Sequence, residues 1–309
     1  MDKPLLSICI PTYNRAPYLK ELLDSIVCQF YDPEIYNQVE IVISDNASED
    51  NTTEMVSEYQ KKYNNIKYFR NKENIGAAKN VLILLRIPQG EYIWLIGDDD
   101  VINDNSISYL ISKIKGRNYS AVLMNFDQGE HNNIKTKFYI NSLNLKDDKE
   151  YFDYRDFFKG EDFKNFHGIN FISALVYNNK LFQESFDKFD KFENTCYLQS
   201  YIFLILGVHG NIFRIARPLV TWRASEQIRY DAWIRNKEQI ENDFLGFVEY
   251  ARVLGYVYDE NEKIKLFNIP IYKKIIINFF KKYKIIKYAK MIYRLKRKIQ
   301  CYFINIYKK

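Results

Sequence analysis

The chain has 309 residues, 47% of them apolar, with a formal net charge of +6. That is enough apolar material for one large domain or two small ones, and it excludes a wholly disordered chain. The four cysteines (Cys9, Cys28, Cys196, Cys301) form no CxxC pair and there are only three histidines, which excludes a disulfide framework, a cysteine zinc site and a multi-histidine metal site.

Residues 5–10 read as a buried strand, broken by Pro11-Thr12-Tyr13-Asn14-Arg15. Residues 17–28 follow as a helix, with Leu19, Leu22, Leu23 and Ile26 at helical spacing. Residues 39–44 form a second strand that ends at Asp45-Asn46-Ala47-Ser48, and 50–63 a second helix. A short third strand covers 66–70 and a helix covers 75–85, opened by Asn74 and Gly76. Residues 91–96 form a fourth strand that runs directly into Gly97-Asp98-Asp99-Asp100. A helix over 105–115 and a strand over 121–126 complete this half. Strands alternating with helices predict an α/β fold with a mostly parallel sheet. Ligands of such sheets bind beyond the carboxyl ends of the strands. Three polar clusters, at Thr12, Asp45 and Asp98, are expected at that rim.

Order weakens beyond residue 128. Residues 128–165 read as a loop-rich insertion, 171–177 as a strand, 180–182 as the start of a helix and 198–206 as a helix. Residues 211–220 read as a strand reaching Trp222-Arg223, and 232–254 as a long amphipathic helix. Asn268-Ile269-Pro270 is a start for a C-terminal helix. From Lys263 to Lys309 there are 15 Lys or Arg and no Asp or Glu, which leaves 30 of the 45 basic residues against all 39 acidic ones in the rest. The chain is an acidic globule with a basic tail. It has no signal-type leader and no run of about 18 uncharged apolar residues, so a cytoplasmic location without a spanning helix is expected.

Three adjacent carboxylates at the end of a strand repel one another and need compensation. A divalent cation supplies it, since Mg2+ takes one or two carboxylates together with phosphate oxygens. A solvated acidic turn or a helix cap is the alternative. Asp45 offers an acceptor to a base edge such as an imide N–H, or else closes an Asx turn.

The segment Ser7-Ile8-Cys9-Ile10-Pro11-Thr12-Tyr13-Asn14-Arg15 resembles the opening of the family-2 glycosyltransferases of GT-A fold. Further segments match in order: Val42 to Asp50, Asn71 to Gly76, Ala78-Lys79-Asn80, and Trp94 to Asp100. The similarity covers about 5–126 and extends to bacterial surface-polysaccharide transferases of the abequosyltransferase type. It implies that Pro11, Thr12, Tyr13 and Asn14 line the nucleotide pocket, that Asp45 binds the base, and that Asn74, Gly76 and Asn80 lie over the ribose and diphosphate. It implies that Asp98 meets the nucleotide sugar and that Asp99, with Asp100 beside it, ligates Mn2+ or Mg2+. Many relatives read Asp-x-Asp-Asp where this chain begins with Gly97, which leaves the register of roles open by one residue.

The implied reaction is an inverting transfer from a nucleotide sugar, UDP-sugar favoured, to a glycan or lipid-linked glycan in bacterial surface polysaccharide or glycoconjugate synthesis. Its base is expected at Glu193, although Asn194 stands where relatives carry a second carboxylate, and Asp187 and Asp190 lie close by. Arg223 is expected on the diphosphate. His167 reads as structural. A nucleotide-sugar-binding protein without turnover, or a membrane-associated scaffold, is the alternative. The resemblance divides the chain into a nucleotide-sugar half (1–126), an acceptor half (127–230) and a helical basic extension (231–309). In that extension Ile275, Phe279, Tyr283 and Ile286 recur at helical spacing among lysines. This suits an anionic membrane surface, placing the protein peripherally on the inner face of the cell membrane. A helix packed on the domain remains the alternative, and no nucleic-acid partner is expected.

Overall fold

The computed structural model describes residues 3–130, 133–159, 162, 165–224, 243 and 246–256. Its centre is strand β1 (Leu6–Thr12), paired in parallel with β2 (Val39–Asp45) on one side and β4 (Tyr92–Leu95) on the other. β3 (Ile66–Arg70) adds in parallel outside β2. β1, β2 and β4 are buried on both faces, which is why they read as continuous apolar runs. Helices α1 (Ala16–Val27), α2 (Pro33–Gln38), α3 (Thr52–Gln60) and α4 (Ala77–Leu84) supply the crossovers. In α1, Leu19, Leu22, Leu23 and Ile26 are fully buried, each contributing about 1.5–3 kcal/mol.

The rest of the sheet is formed by β5 (Val101–Ile102), β6 (Tyr119–Glu130), β9 (Leu175–Asn178) and β10 (Asn211–Ala224), in the order β3-β2-β1-β4-β9-β6-β10-β5. Two short strands lie off this path, β7 (Lys137–Tyr139) against β6 and β8 (Lys149–Tyr151) against β10. Helix α5 (Ser106–Ile114) leads into β6. α6 (Asn165–Gly168) precedes β9, and α7 (Asn179–Glu184) and α8 (Leu198–Gly207) follow it. α8 is buried almost all round and packs on β6 and β9.

The parallel expectation holds from β3 to β4, and the sheet is mixed beyond. β9 runs antiparallel to both β4 and β6, and β10 resumes parallel to β6. β6 ends at the carboxyl rim and β9 starts from that rim, so β9 runs antiparallel to both of its neighbours. β1, β2, β4, β6 and β10 all end at the same rim, and β9 begins there.

Several boundaries differ from the sequence reading, among them the end of β10 at Ala224 rather than residue 220. Asp127-Gln128-Gly129 continue β6 as strand because buried Asp127 is ion-paired to Lys137 at 2.7 Å and β10 pairs along this stretch. The strand expected over 171–177 begins as a 3-10 turn at Ile172–Ala174 before β9. Of the helix expected over 232–254, residues 246–253 are helical and the remainder lies outside the described residues, apart from residue 243. The basic tail and the helix expected from Asn268 lie outside the described residues. Among the described residues no helix is long and apolar enough to cross a membrane.

Candidate active site at the carboxyl rim

The loops after β1 and β2 are joined. The Asn46 amide donates to the Thr12 carbonyl at 2.9 Å, and the Asn14 amide donates to Ser48 Oγ at 2.9 Å. Asn14 adopts φ +53° and its Oδ1 accepts the Glu49 amide at 2.7 Å. Asp50 ties in the helices, accepting the Ala16 amide at the start of α1 and both the amide and hydroxyl of Thr52 at the start of α3. Tyr13 stays 40% exposed at the rim, an aromatic face open to a ligand. Pro11 is the last residue of β1 but one.

Asp45 is fully buried. Its Oδ1 accepts from the Ser48 amide (2.8 Å) and hydroxyl (2.6 Å), and its Oδ2 accepts from Tyr68 (2.5 Å), with Arg70 Nε at 3.5 Å. The Asx turn of the sequence reading is formed here, with Asp45 at 0% exposure. Burial, then the Asp45 carboxylate, raises the Tyr68 pKa, which keeps that hydroxyl a donor.

An asparagine network ties β2 to the loop before α4. Asn46 donates to Asn74 Oδ1 at 2.7 Å and accepts from Asn71 (3.1 Å) and from the Ile75 amide (3.0 Å). Asn74 Oδ1 also accepts the Gly76 amide at 3.0 Å, and Gly76 sits at φ +87°, where a Cβ is strained even in open space. Asn80 Oδ1 accepts from Ser44 (2.7 Å) and Asn71 (2.9 Å). Asn74, Gly76 and Asn80 thus stand at the rim that carries Thr12.

The aspartate turn follows β4. The Ile96 amide reaches the Cys9 carbonyl at 2.9 Å and the Asp100 amide turns back to the Gly97 carbonyl at 3.2 Å. A Cβ on Gly97 would stand 3.3 Å from both Asp99 Oδ1 and Asp100 Oδ2, so glycine suits this crowded turn. The three carboxylates have different environments. Asp98 is buried; its Oδ2 accepts from Thr12 at 2.7 Å and its Oδ1 from Arg15 at 3.0 Å. Burial raises its pKa to about 6, opposed by Arg15. Asp99 keeps 36% of its side chain exposed and accepts from Arg15 at 3.1 Å. Asp100 is buried, with Oδ1 on the Arg223 amide at 3.0 Å and Oδ2 on the Ser173 hydroxyl at 2.5 Å. Burial, then Asp99, holds its pKa well above the carboxylate range.

Arg223 is also buried. Its Nε donates to the Asp99 carbonyl at 2.8 Å, its far end is ion-paired to Glu21 of α1, and its guanidinium lies 4.9 Å from the Tyr18 ring. The arginine expected on the diphosphate therefore braces the aspartate turn in this structure. Ser173 completes the brace by accepting the Gly97 amide at 2.9 Å.

One nitrogen of Arg15, Nη1, lies within 3.1 Å of an oxygen from each of Asp98 and Asp99. A positive centre therefore fits between these two carboxylates, and two carboxylates plus phosphate oxygens are a fitting donor set for Mg2+ or Mn2+. Asp100 stands beside them, with one protein donor on each oxygen. Among the described residues no group of three or more His, Cys, Asp or Glu converges on one point.

In the second half, Glu193 Oε1 lies 3.5 Å from Lys79 Nζ in the first turn of α4, next to Asn80. Asp187 and Asp190 are exposed. Burial lowers the His167 pKa to about 4, which leaves it neutral. Trp222 packs with Phe126 and Phe171, at 6.5 and 5.8 Å between ring centroids. The sequence reading assigned no role to Arg15, although it closes the first motif, nor to Ser173, which carries no local signal. A cleft lined by Lys3, Leu5, Glu91, Asn178 and His209 lies at the opposite rim and contains none of these groups.

Residues 7–182 match the family described as Glycosyl transferase family 2. Abequosyltransferase RfbV of Salmonella typhimurium is 45% identical over 108 residues, covering 34% of this chain and only 31% of that protein. GalNAc(5)-diNAcBac-PP-undecaprenol beta-1,3-glucosyltransferase of Campylobacter jejuni is 27% identical over 307 residues, 98% of this chain and 88% of that protein. Among solved structures, S. aureus TarS 1–349 superposes with a TM-score of 0.57 at 18% identity, covering 84% of this chain and 68% of that one. The fold is of GT-A type.

Proposed function

The chain belongs to glycosyl transferase family 2, and from that premise we propose that it transfers a sugar from a nucleotide-sugar donor to a glycan or lipid-linked glycan. The observation that carries the proposal is the convergence of Thr12, Asp98 and Asp99 at one rim, with a single cationic nitrogen shared between the two aspartates. The donor's diphosphate lies over the turn, between Asp98–Asp99 and the Asn74–Asn80 segment. UDP is the favoured nucleotide, with Tyr13 against the base.

Asp99, with Asp98 beside it, would hold a divalent cation, Mn2+ or Mg2+, which would supply the charge that stabilises the leaving nucleoside diphosphate. The protein's own part is to fix the carboxylates, through Thr12, Ser173 and the Arg223 brace, so that they need no reorganisation as charge develops. Glu193 accepts the proton of the acceptor hydroxyl as that oxygen attacks the anomeric carbon from the face opposite the leaving group, which inverts the configuration. Its contact with Lys79 supports this role by placing it at the first turn of α4, beside the Asn80 segment.

In this reading residues 1–126 serve the donor, 127–230 the acceptor, and 231–309 a basic extension that meets an anionic membrane surface on the cytoplasmic side. The Campylobacter relative's name specifies an undecaprenol-linked glycan, which supports a lipid-linked acceptor here. Incubating the full chain with Mn2+ and a panel of UDP-, GDP-, CDP- and dTDP-sugars tests the proposal. Slow release of one nucleoside diphosphate, lost in Asp99→Asn, is expected. Absence of release and of binding with every donor would refute it.

A further inference from the structure

Arg15 is placed unlike any other charged group at the rim. Its Nη1 lies 3.0 Å from Asp98 Oδ1 and 3.1 Å from Asp99 Oδ2, so one nitrogen serves both carboxylates. Its Nε and Nη2 hold no hydrogen-bond partner among the described residues. The side chain is 42% exposed. Its backbone, in contrast, is anchored. The Arg15 carbonyl accepts the Leu19 amide at 3.0 Å, and the next amide, that of Ala16, is held by Asp50 at 3.0 Å. With the backbone fixed, movement of the guanidinium off the aspartates is a matter of side-chain rotation.

We propose that Arg15 is a built-in counter-cation that couples cation binding to donor binding. In the donor-free protein it holds the position between Asp98 and Asp99, and it transfers to the donor's diphosphate when a divalent cation takes that position. The inference rests on the aspartate turn being the cation and diphosphate site.

Charge and geometry support it in three steps. Asp98 is 5% exposed, and a buried carboxylate left without a positive partner is strongly disfavoured, so Arg15 does not leave unless another cation replaces it. A divalent cation and a guanidinium cannot hold the same two oxygens, because they repel at that separation and would compete for the same lone pairs. The cation must therefore displace Arg15, which weakens its binding to the donor-free protein. A diphosphate supplies the displaced guanidinium with paired oxygens suited to its planar fork. Each ligand thus removes an obstacle to the other, which is positive coupling between the two binding events.

The test measures Mn2+ binding by electron paramagnetic resonance of free Mn2+, and binding of inorganic pyrophosphate in saturating Mn2+ by calorimetry. Full-length wild type, Arg15→Gln and Arg15→Lys are compared. Arg15→Gln is expected to bind Mn2+ alone at least about fivefold more tightly than wild type, and pyrophosphate at least about fivefold more weakly. Opposite changes for the two ligands are the signature, since a merely structural arginine would weaken both together. Arg15→Lys, which retains the positive charge, is expected to keep the wild-type Mn2+ affinity. It also tests the idea if Arg15→Gln fails to fold, because a point charge without the fork is then predicted to lose pyrophosphate affinity alone. Tighter pyrophosphate binding, or unchanged or weaker Mn2+ binding, in Arg15→Gln would overturn the coupling while leaving the cation site intact. If neither wild type nor Arg15→Gln binds Mn2+ with or without pyrophosphate, and Asp99→Asn behaves identically, the cation site itself is refuted.

Discussion

The hydroxyl of Thr12 donates to Asp98 at 2.7 Å across 86 positions of sequence. This bond closes the end of β1 onto the turn that follows β4 and makes two separate motifs into one site. Replacing Thr12 by Val removes a donor from a buried carboxylate, which costs about 1–3 kcal/mol. Thr12→Ser keeps the hydroxyl. Denaturant unfolding of the two variants, with nucleotide-sugar affinity measured alongside, should show Thr12→Val losing both and Thr12→Ser close to wild type.

The raised pKa of Asp98 gives a pH signature. Its folded value is about 6, against the ordinary 3.8, so the folded state holds that proton more tightly than the unfolded state does. Stability from this group therefore falls as pH rises from about 4 to 6, by at most on the order of 3 kcal/mol. Above pH 6 the full cost remains. Asp98→Asn removes that titration. In metal-free buffer its stability relative to wild type should improve between pH 4.5 and pH 7.5, while donor binding is lost. A difference in unfolding free energy that does not change with pH would contradict the assignment.

Ser173 is fully buried and serves the Gly97 amide and the Asp100 carboxylate together. Ser173→Ala leaves both without that partner, costing about 1–3 kcal/mol. The aspartate turn should loosen as a unit. The expected result is a lower unfolding midpoint with a reduced cation-dependent donor affinity, read by calorimetry on the folded variant.

Glu193→Gln should lower turnover by at least about a hundredfold and leave donor affinity unchanged, since a general base acts on the acceptor proton alone. Steady-state kinetics with donor and acceptor varied separately would reveal it. An equal loss of donor affinity would instead assign Glu193 to donor binding through Lys79.

The first half of the fold was legible because its strands are buried on both faces and its helices are amphipathic. Ile8, Ile43 and Trp94 lie in apolar runs that leave little choice of element. The second half was less so. Asp127-Gln128-Gly129 resemble a turn, and only the distant Lys137 and the partner strand β10 keep them in β6. The antiparallel direction of β9 depends on the rim at which the preceding chain returns, which no local pattern records. In the site, the motifs located Thr12, Asn80 and Asp98 at one rim. They did not reveal that Asp45 accepts from Ser48 and Tyr68, or that Asp100 is held by Ser173 and Arg223, because those partners are chosen by the tertiary fold.

The central claim is that the rim formed by Thr12, Asp98 and Asp99 binds a nucleotide sugar with a divalent cation. A thermal-shift screen of UDP-, GDP-, CDP- and dTDP-sugars, with and without Mn2+, tests it on wild type and Asp99→Asn, since a ligand that binds only the folded state raises the melting temperature. At least one donor should raise the wild-type melting temperature in Mn2+ and have little effect without it, and Asp99→Asn should lose that increment. A wild type unmoved by every donor, or an Asp99→Asn variant that responds to donor and Mn2+ as fully as wild type, would contradict the claim.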